Sequence, residues 1–169
     1  TTVYNTWLSH PVVDDRTKAE LRGLSHEDIK ERFYKELDFG TAGLRGIIGA
    51  GSNCMNIYTV RKATQGLCED ILNQGGDAAQ RGVAIAYDSR HFSTEFAVES
   101  AKVLAANGIK AYLFDELRPT PELSFAVRYR NCARCIMITA SHNPKQYNGY
   151  KAYGEDGGQL PPESAEYVM

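Results

Sequence analysis

The hydrophobic and polar positions along this chain change period several times, and each change marks an element. Residues Asp14 to Leu37 read as two short helices, with Gly23 ending the first and Ser25 as N-cap of the second, so an N-terminal helical arm is expected over residues 1–38. The stretch Gly40-Thr41-Ala42-Gly43-Leu44-Arg45-Gly46-Ile47-Ile48-Gly49 is apolar but punctuated by glycine, which predicts a strand with sharp loops rather than a helix. Ile57 to Asn73 returns to helical spacing and is closed by Gly75-Gly76.

Beyond it the pattern becomes regular. The apolar run Gly82–Tyr87, a helix Thr94–Asn107 with Ser93 as N-cap and Gly108 as stop, and the run Ile109–Phe114 make one β-α-β unit. A helix starting near Pro121 and the strand Cys135–Thr139 supply a second. Such units build a three-layer α/β/α domain, expected over residues 39–169, with a largely parallel or mixed sheet between helices. Pro161-Pro162 opens what reads as another helix just before the chain stops at Met169, so the sequence reads as part of something longer.

Composition narrows the partners. The chain has 169 residues, 43% hydrophobic and 24% charged, which fits a globular domain and excludes fibrous or disordered classes. Nineteen basic residues against 21 acidic give a net charge of -2, which offers no field for nucleic acid or an anionic membrane. With no apolar run long enough to span a bilayer and no leader-like start, a cytoplasmic location is expected. Cys132-Ala133-Arg134-Cys135 is a C-x-x-C without a second cysteine pair, and it precedes a strand rather than opening a helix. Reduced, structural thiols are therefore expected there.

The candidate chemistry lies beyond the strand that ends at Thr139, because ligands in open parallel sheets bind at the carboxyl ends of strands. There the chain reads Thr139-Ala140-Ser141-His142-Asn143-Pro144, and Pro144 disfavours direct entry into a helix, so Ser141 is expected on an exposed turn. Asn148-Gly149 reads as a hairpin turn between Tyr147 and Tyr150 that returns Lys151 towards Ser141. No acidic residue occurs from Thr139 to Lys151, while His142, Lys145 and Lys151 do, which favours an anion. The segment Thr41–Gln65 likewise carries Arg45, Arg61 and Lys62 without a carboxylate, and Arg45 has the fork geometry for phosphate. Ser141, His142 and Lys151 also admit a plain reading as turn and surface residues. A hydrolase triad is disfavoured because Ala140 and Asn143 break the G-x-S-x-G elbow, and no P-loop motif occurs. A dinucleotide-binding domain of an oxidoreductase is the alternative, from Gly49-Ala50-Gly51 before a helix, with Cys54 in place of the third glycine and Asp70 at ribose-contact distance but expected to face solvent.

The segment Thr139–Pro144 followed by Asn148-Gly149-Tyr150-Lys151 resembles the phosphoserine signature of the α-D-phosphohexomutase family. Phe39–Gly46, Tyr87-Asp88-Ser89-Arg90, Pro119-Thr120-Pro121 and Gly157-Gly158-Gln159 follow the family's order, and the Thr-Ala-Ser form is similar to its phosphoglucomutase and phosphopentomutase branch. The resemblance implies that Ser141 carries the phosphoryl group, that Arg45 contacts the transferring phosphate, and that His142 and Lys151, the latter preferred, are acid/base residues. It also implies a sugar phosphate substrate, a sugar 1,6-bisphosphate activator, and Mg²⁺ bound through the phosphate on Ser141 and by three aspartates of a second domain. The metal-binding, sugar-reading and substrate-phosphate domains implied by the family are absent from this sequence, so the chain by itself is expected to be inactive.

Overall fold

The computed structural model describes residues 2–40, 43–160 and 162–168; Thr41, Ala42 and Pro161, named above, lie outside them. In chain order the elements are α1 (Thr2–Ser9), α2 (Asp15–Arg22), α3 (His26–Phe33), β1 (Leu44–Ile47), α4 (Ile57–Gln74), α5 (Ala78–Arg81), β2 (Val83–Tyr87), α6 (Ser93–Ala106), β3 (Ala111–Leu113), α7 (Thr120–Tyr129), β4 (Arg134–Ile138), β5 (Tyr147–Tyr153) and α8 (Pro162–Tyr167).

The caps explain several of these boundaries. Asp14 accepts from the Thr17 amide at the start of α2, and Ser25 forms a reciprocal capping box with Asp28 at the start of α3. Asn56 caps α4 through the amides of Tyr58 and Thr59, and Gly75 ends that helix with φ +71°. Helix α1 is an addition to the sequence reading: Tyr4, Trp7 and Leu8 pack with Leu21, Phe33 and Ala50 in a small core of their own.

The five strands are ordered β1-β5-β4-β2-β3. β2 pairs parallel with β3 and β4, as the two β-α-β units require, whereas β5 pairs antiparallel with β4 and β1, so the sheet is mixed. The pleat sends Val83, Ile85, Ile136, Ile138, Tyr150 and Leu44 to the face covered by α4 and α6. Ala84, Ala86, Cys135 and Met137 point the other way, where the small alanines admit α7 through Leu123 and Val127. Arg45, Ile47, Tyr147 and Lys151 share that second face, on the β1 and β5 side where α7 does not reach, and none of them is fully buried. A partly exposed surface is thereby left open beside the β4 tip.

Asn148-Gly149 is not a turn. Both residues lie inside β5, and the chain reverses earlier, in the loop from Ser141 to Gln146. Asn148 is fully buried, donating to the His91 carbonyl at 2.9 Å and the Ser93 hydroxyl at 3.0 Å while accepting from the Gly149 amide at 2.8 Å. Gly149 is required by crowding: a Cβ there stands 2.5 Å from the Thr139 carbonyl oxygen and 2.8 Å from that of Leu44. Because backbone on both flanking strands must move, Gly149→Ala is expected to destabilise the domain by about 1–3 kcal/mol. An unchanged thermal midpoint for that variant would show that the three strands tolerate the methyl group.

Ser93 departs from expectation for a related reason. It is the first residue of α6 rather than its cap, the preceding Phe92 being left-handed at φ 64°. Its hydroxyl donates to Asp88 Oδ1 at 2.8 Å, so the cap was exchanged for a buried network with Asn148.

Candidate active site

The carboxyl ends of β2 and β4 and the start of α7 converge on a cleft of about 530 Å³, lined by Asp88, Arg118, Thr120, Thr139, Ser141 and Lys151 among others. This is where a parallel sheet offers ligand access, and the positive end of α7 opens onto the same space. Ser141 is exposed and left-handed at φ 55°, a conformation that disfavours any residue with a Cβ by roughly 1–2 kcal/mol. Its amide donates to Thr139 Oγ1 at 3.0 Å. Exposed His142 brings Nδ1 to 3.5 Å from Ser141 Oγ, a loose contact that either imidazole tautomer allows.

Lys151 reaches the cleft through strand register rather than through a hairpin. It sits opposite Met137, two residues before Thr139, and the pleat turns both side chains to the cleft face. Arg45, opposite Gly149 on β1, donates through Nη1 to Asn143 Oδ1 at 3.0 Å and so stands at the far rim of the Ser141 loop. Ser141 and His142 thus share one loop, Arg45 meets that loop through Asn143, and Lys151 lines the same cleft as Ser141. Arg61 and Lys62 are not: Arg61 is paired with Glu99 on α6 at 2.7 Å, and Lys62 is paired with Glu36.

The sequence reading missed the groups supplied by β2 and its following loop. Arg90 spans the underside of the Ser141 loop, and Asp88 Oδ1 accepts from the Arg90 amide at 3.0 Å. Their visible signal is their place just beyond a parallel strand, in Tyr87-Asp88-Ser89-Arg90. Asp88 also brings a carboxylate into a cleft whose local sequence is acid-free. Arg118 adds a cation, though one engaged by Glu116 at 3.3 Å and Glu122 at 3.2 Å.

A metal is poorly served by this chain's own donors. Asp88 is the carboxylate lining the cleft and is occupied by Ser93 and the Arg90 amide, and among the described residues no group of three or more His, Cys, Asp or Glu side chains is placed to hold an ion. The C-x-x-C thiols are free and buried, and burial pushes Cys135 up to about 12 and raises Cys132. Among the described residues no helix is long and apolar enough to cross a membrane.

The dinucleotide alternative fails on the Gly49-Ala50-Gly51 loop. β1 is an antiparallel edge strand, and the loop's anion position is already filled: Glu20 Oε1 accepts from the Ala50 amide at 3.0 Å and pairs with Arg32 at 2.7 Å. A Cβ at Gly51 stands 2.7 Å from the Arg32 carbonyl oxygen, so these glycines seat the helical arm instead of a pyrophosphate. Asp70 does not face solvent; it is buried and bonded to Arg134 at 2.8–2.9 Å.

The structure thus defines a three-layer α/β/α domain with a cleft at its strand tips that is shared by Ser141 and Lys151. Residues 36–169 match the model of phosphoglucomutase/phosphomannomutase, alpha/beta/alpha domain I, and the chain belongs to that family. A phosphoglucomutase from Staphylococcus saprophyticus is 48% identical over 162 residues, 96% of this chain and 29% of the relative. A phosphopentomutase from Mus musculus is 39% identical over 160 residues, 91% of this chain and 26% of the relative. Among solved structures, a phosphoglucomutase/phosphomannomutase family protein from Burkholderia thailandensis gives a TM-score of 0.65 at 27% identity, covering 77% of this chain and 28% of that one. The chain spans under a third of the length of these relatives.

Proposed function

We propose that this chain is the phosphoserine-bearing domain of a sugar-phosphate mutase that interconverts hexose 1-phosphate and hexose 6-phosphate, glucose foremost, through a bisphosphate intermediate. The observation that carries the reading is Ser141 itself, an exposed hydroxyl held at φ 55° on a strand-tip loop beside a cleft shared with Lys151. In the forward step the bond between Ser141 Oγ and phosphorus breaks while a bond from a sugar hydroxyl to phosphorus forms. The sugar hydroxyl gives up its proton and Ser141 Oγ gains one. Lys151, with His142 as second candidate, exchanges the proton at Oγ, and Arg45 holds the phosphoryl oxygens from the opposite rim. Reorientation of the bisphosphate and return of its other phosphate to Ser141 complete the cycle.

The demands are chiefly positioning and charge neutralisation. Mg²⁺, when bound, supplies part of that neutralisation; on this reading its ligands are the Ser141 phosphate and carboxylates from parts of the polypeptide beyond this chain, which also hold the sugar. Residues 1–38 are read as a helical arm docked on the domain of residues 39–169. The four free cysteines support a reducing, cytoplasmic setting. The test is to incubate the full-length enzyme with glucose 1,6-bisphosphate carrying ³²P and map the labelled peptide. Label on Ser141 is expected, and label confined to any other residue sinks the reading.

A further inference from the structure

We propose that Arg90 is a positioning residue for phosphoryl transfer: bonded to four main-chain carbonyls, its guanidinium holds the Ser141 loop in its left-handed form and turns the loop's amides towards the cleft side. The proposal rests on Ser141 being the phosphoryl carrier. Arg90 Nη2 donates to the carbonyls of Ser141 at 2.7 Å and Asn143 at 2.6 Å, and Nη1 donates to those of Pro144 at 3.0 Å and Tyr147 at 3.1 Å. All four terminal N–H groups are thereby used, from a side chain that is only 14% exposed.

The loop needs such a partner. Between β4 and β5 the chain leaves the ladder and Pro144 removes one donor; the Pro144 carbonyl also accepts from the Tyr147 amide at 3.0 Å, whereas the Ser141 and Asn143 carbonyls are met by Arg90. Ser141 at φ 55° is unfavourable alone and persists only if its surroundings fix it. In a planar trans peptide the N–H lies opposite the C=O, so drawing the Ser141 and Pro144 carbonyls inward directs the His142 and Lys145 amides outward. Arg90 thus arranges donors beside a Ser141 phosphate without touching it, and places a permanent positive charge beneath the loop.

The guanidinium is itself fixed. Asp88 Oδ2 lies 3.6 Å from Arg90 Nε, and Asp88 Oδ1 is held by the Arg90 amide and the Ser93 hydroxyl, which in turn meets buried Asn148. The support runs from the β2 tip through α6 into β5, so the loop is tied to the rigid sheet. Lysine retains the charge but gathers its three donors at one point and does not reproduce four divergent contacts.

The experiment uses the full-length enzyme with Arg90→Lys, and with Asp88→Asn as a milder change that leaves the guanidinium and loosens its anchor. In Arg90→Lys, kcat for glucose 1-phosphate conversion is expected to fall by at least about 10-fold with KM changed less than about 3-fold, since misplaced reacting groups lose rate more than binding. The ³¹P resonance of phosphorylated Ser141 is expected to shift or broaden, a readout that a loss of stability alone does not move. Asp88→Asn is expected to show a smaller fall of the same kind, and it carries the test if Arg90→Lys does not fold. Wild-type kcat together with an unchanged ³¹P signal in the folded variants overturns the proposal. If the wild-type enzyme takes no label on Ser141, the carrier reading fails and this proposal falls with it; labelled wild type with fully active variants removes Arg90 alone.

Discussion

Ser141→Ala is expected to remove mutase turnover from the full-length enzyme, by at least about 10³-fold, while leaving its unfolding midpoint within about 2 °C of wild type. The two halves of that expectation have separate causes. On the stability side, the hydroxyl is exposed and its nearest described partner is His142 Nδ1 at 3.5 Å, so its removal strands no buried polar group. The backbone strain at φ 55° is common to serine and alanine, and Arg90 and Thr139 hold the main chain rather than the side chain. On the activity side, Oγ is the atom to which phosphorus is bonded in the proposed cycle, and the adjacent Thr139 does not replace it, being buried with its Oγ1 accepting from the Ser141 amide. Threonine at position 141 is not expected to restore turnover, because a β-branched side chain tolerates positive φ less well than serine. A coupled assay of glucose 1-phosphate conversion, with bisphosphate and Mg²⁺ supplied, reads the result. Wild-type turnover in Ser141→Ala would remove the residue from the mechanism.

The parts of this molecule that sequence reveals are those fixed by local rules. Ser25 and Gly75 act within a few residues of themselves, and the start of α3 and the end of α4 follow from them. The β2-α6 part of its β-α-β unit is legible because the apolar run of β2 is buried throughout and α6 buries Phe96, Ala97, Ser100 and Leu104 at helical spacing. The location of Ser141 follows from a rule about parallel sheets that needs no knowledge of the loop's detail.

What escaped depends on groups far apart in the chain. Asn148-Gly149 carries a strong local turn signal, yet its asparagine is bonded to residues 55 and 57 positions away and its glycine is demanded by carbonyls on two other strands. Tertiary packing thus overrode a dipeptide preference, and Lys151 reaches the cleft it shares with Ser141 by antiparallel register. The Gly49-Ala50-Gly51 resemblance to a nucleotide loop fails in the same manner, since Glu20, 30 residues earlier, already occupies the amide. The role of Arg90 is not legible from its motif, because nothing in its neighbourhood announces four carbonyls more than 50 positions downstream.

Lys151→Met is expected to lower kcat by about 10²-fold or more in the full-length enzyme, the usual scale for losing a positioned acid or base. Methionine keeps an unbranched apolar stem, and Lys151 is half-buried opposite Met137 on the cleft face, so packing within β5 should survive the change. The amine has two separable uses beside Ser141. As a cation it stabilises phosphate in both ground and transition states, and its loss then raises KM with little change in kcat. As an acid or base it moves a proton only in the reacting complex, and its loss lowers kcat. Lys151→Arg distinguishes them, because a guanidinium retains the charge but cannot give up its proton near neutral pH. If Lys151→Arg is as inactive as Lys151→Met while both unfold at the wild-type temperature, proton transfer is the role. If arginine restores kcat, Lys151 acts as a fixed charge, and the acid/base assignment passes to His142, whose Nδ1 lies 3.5 Å from Ser141 Oγ.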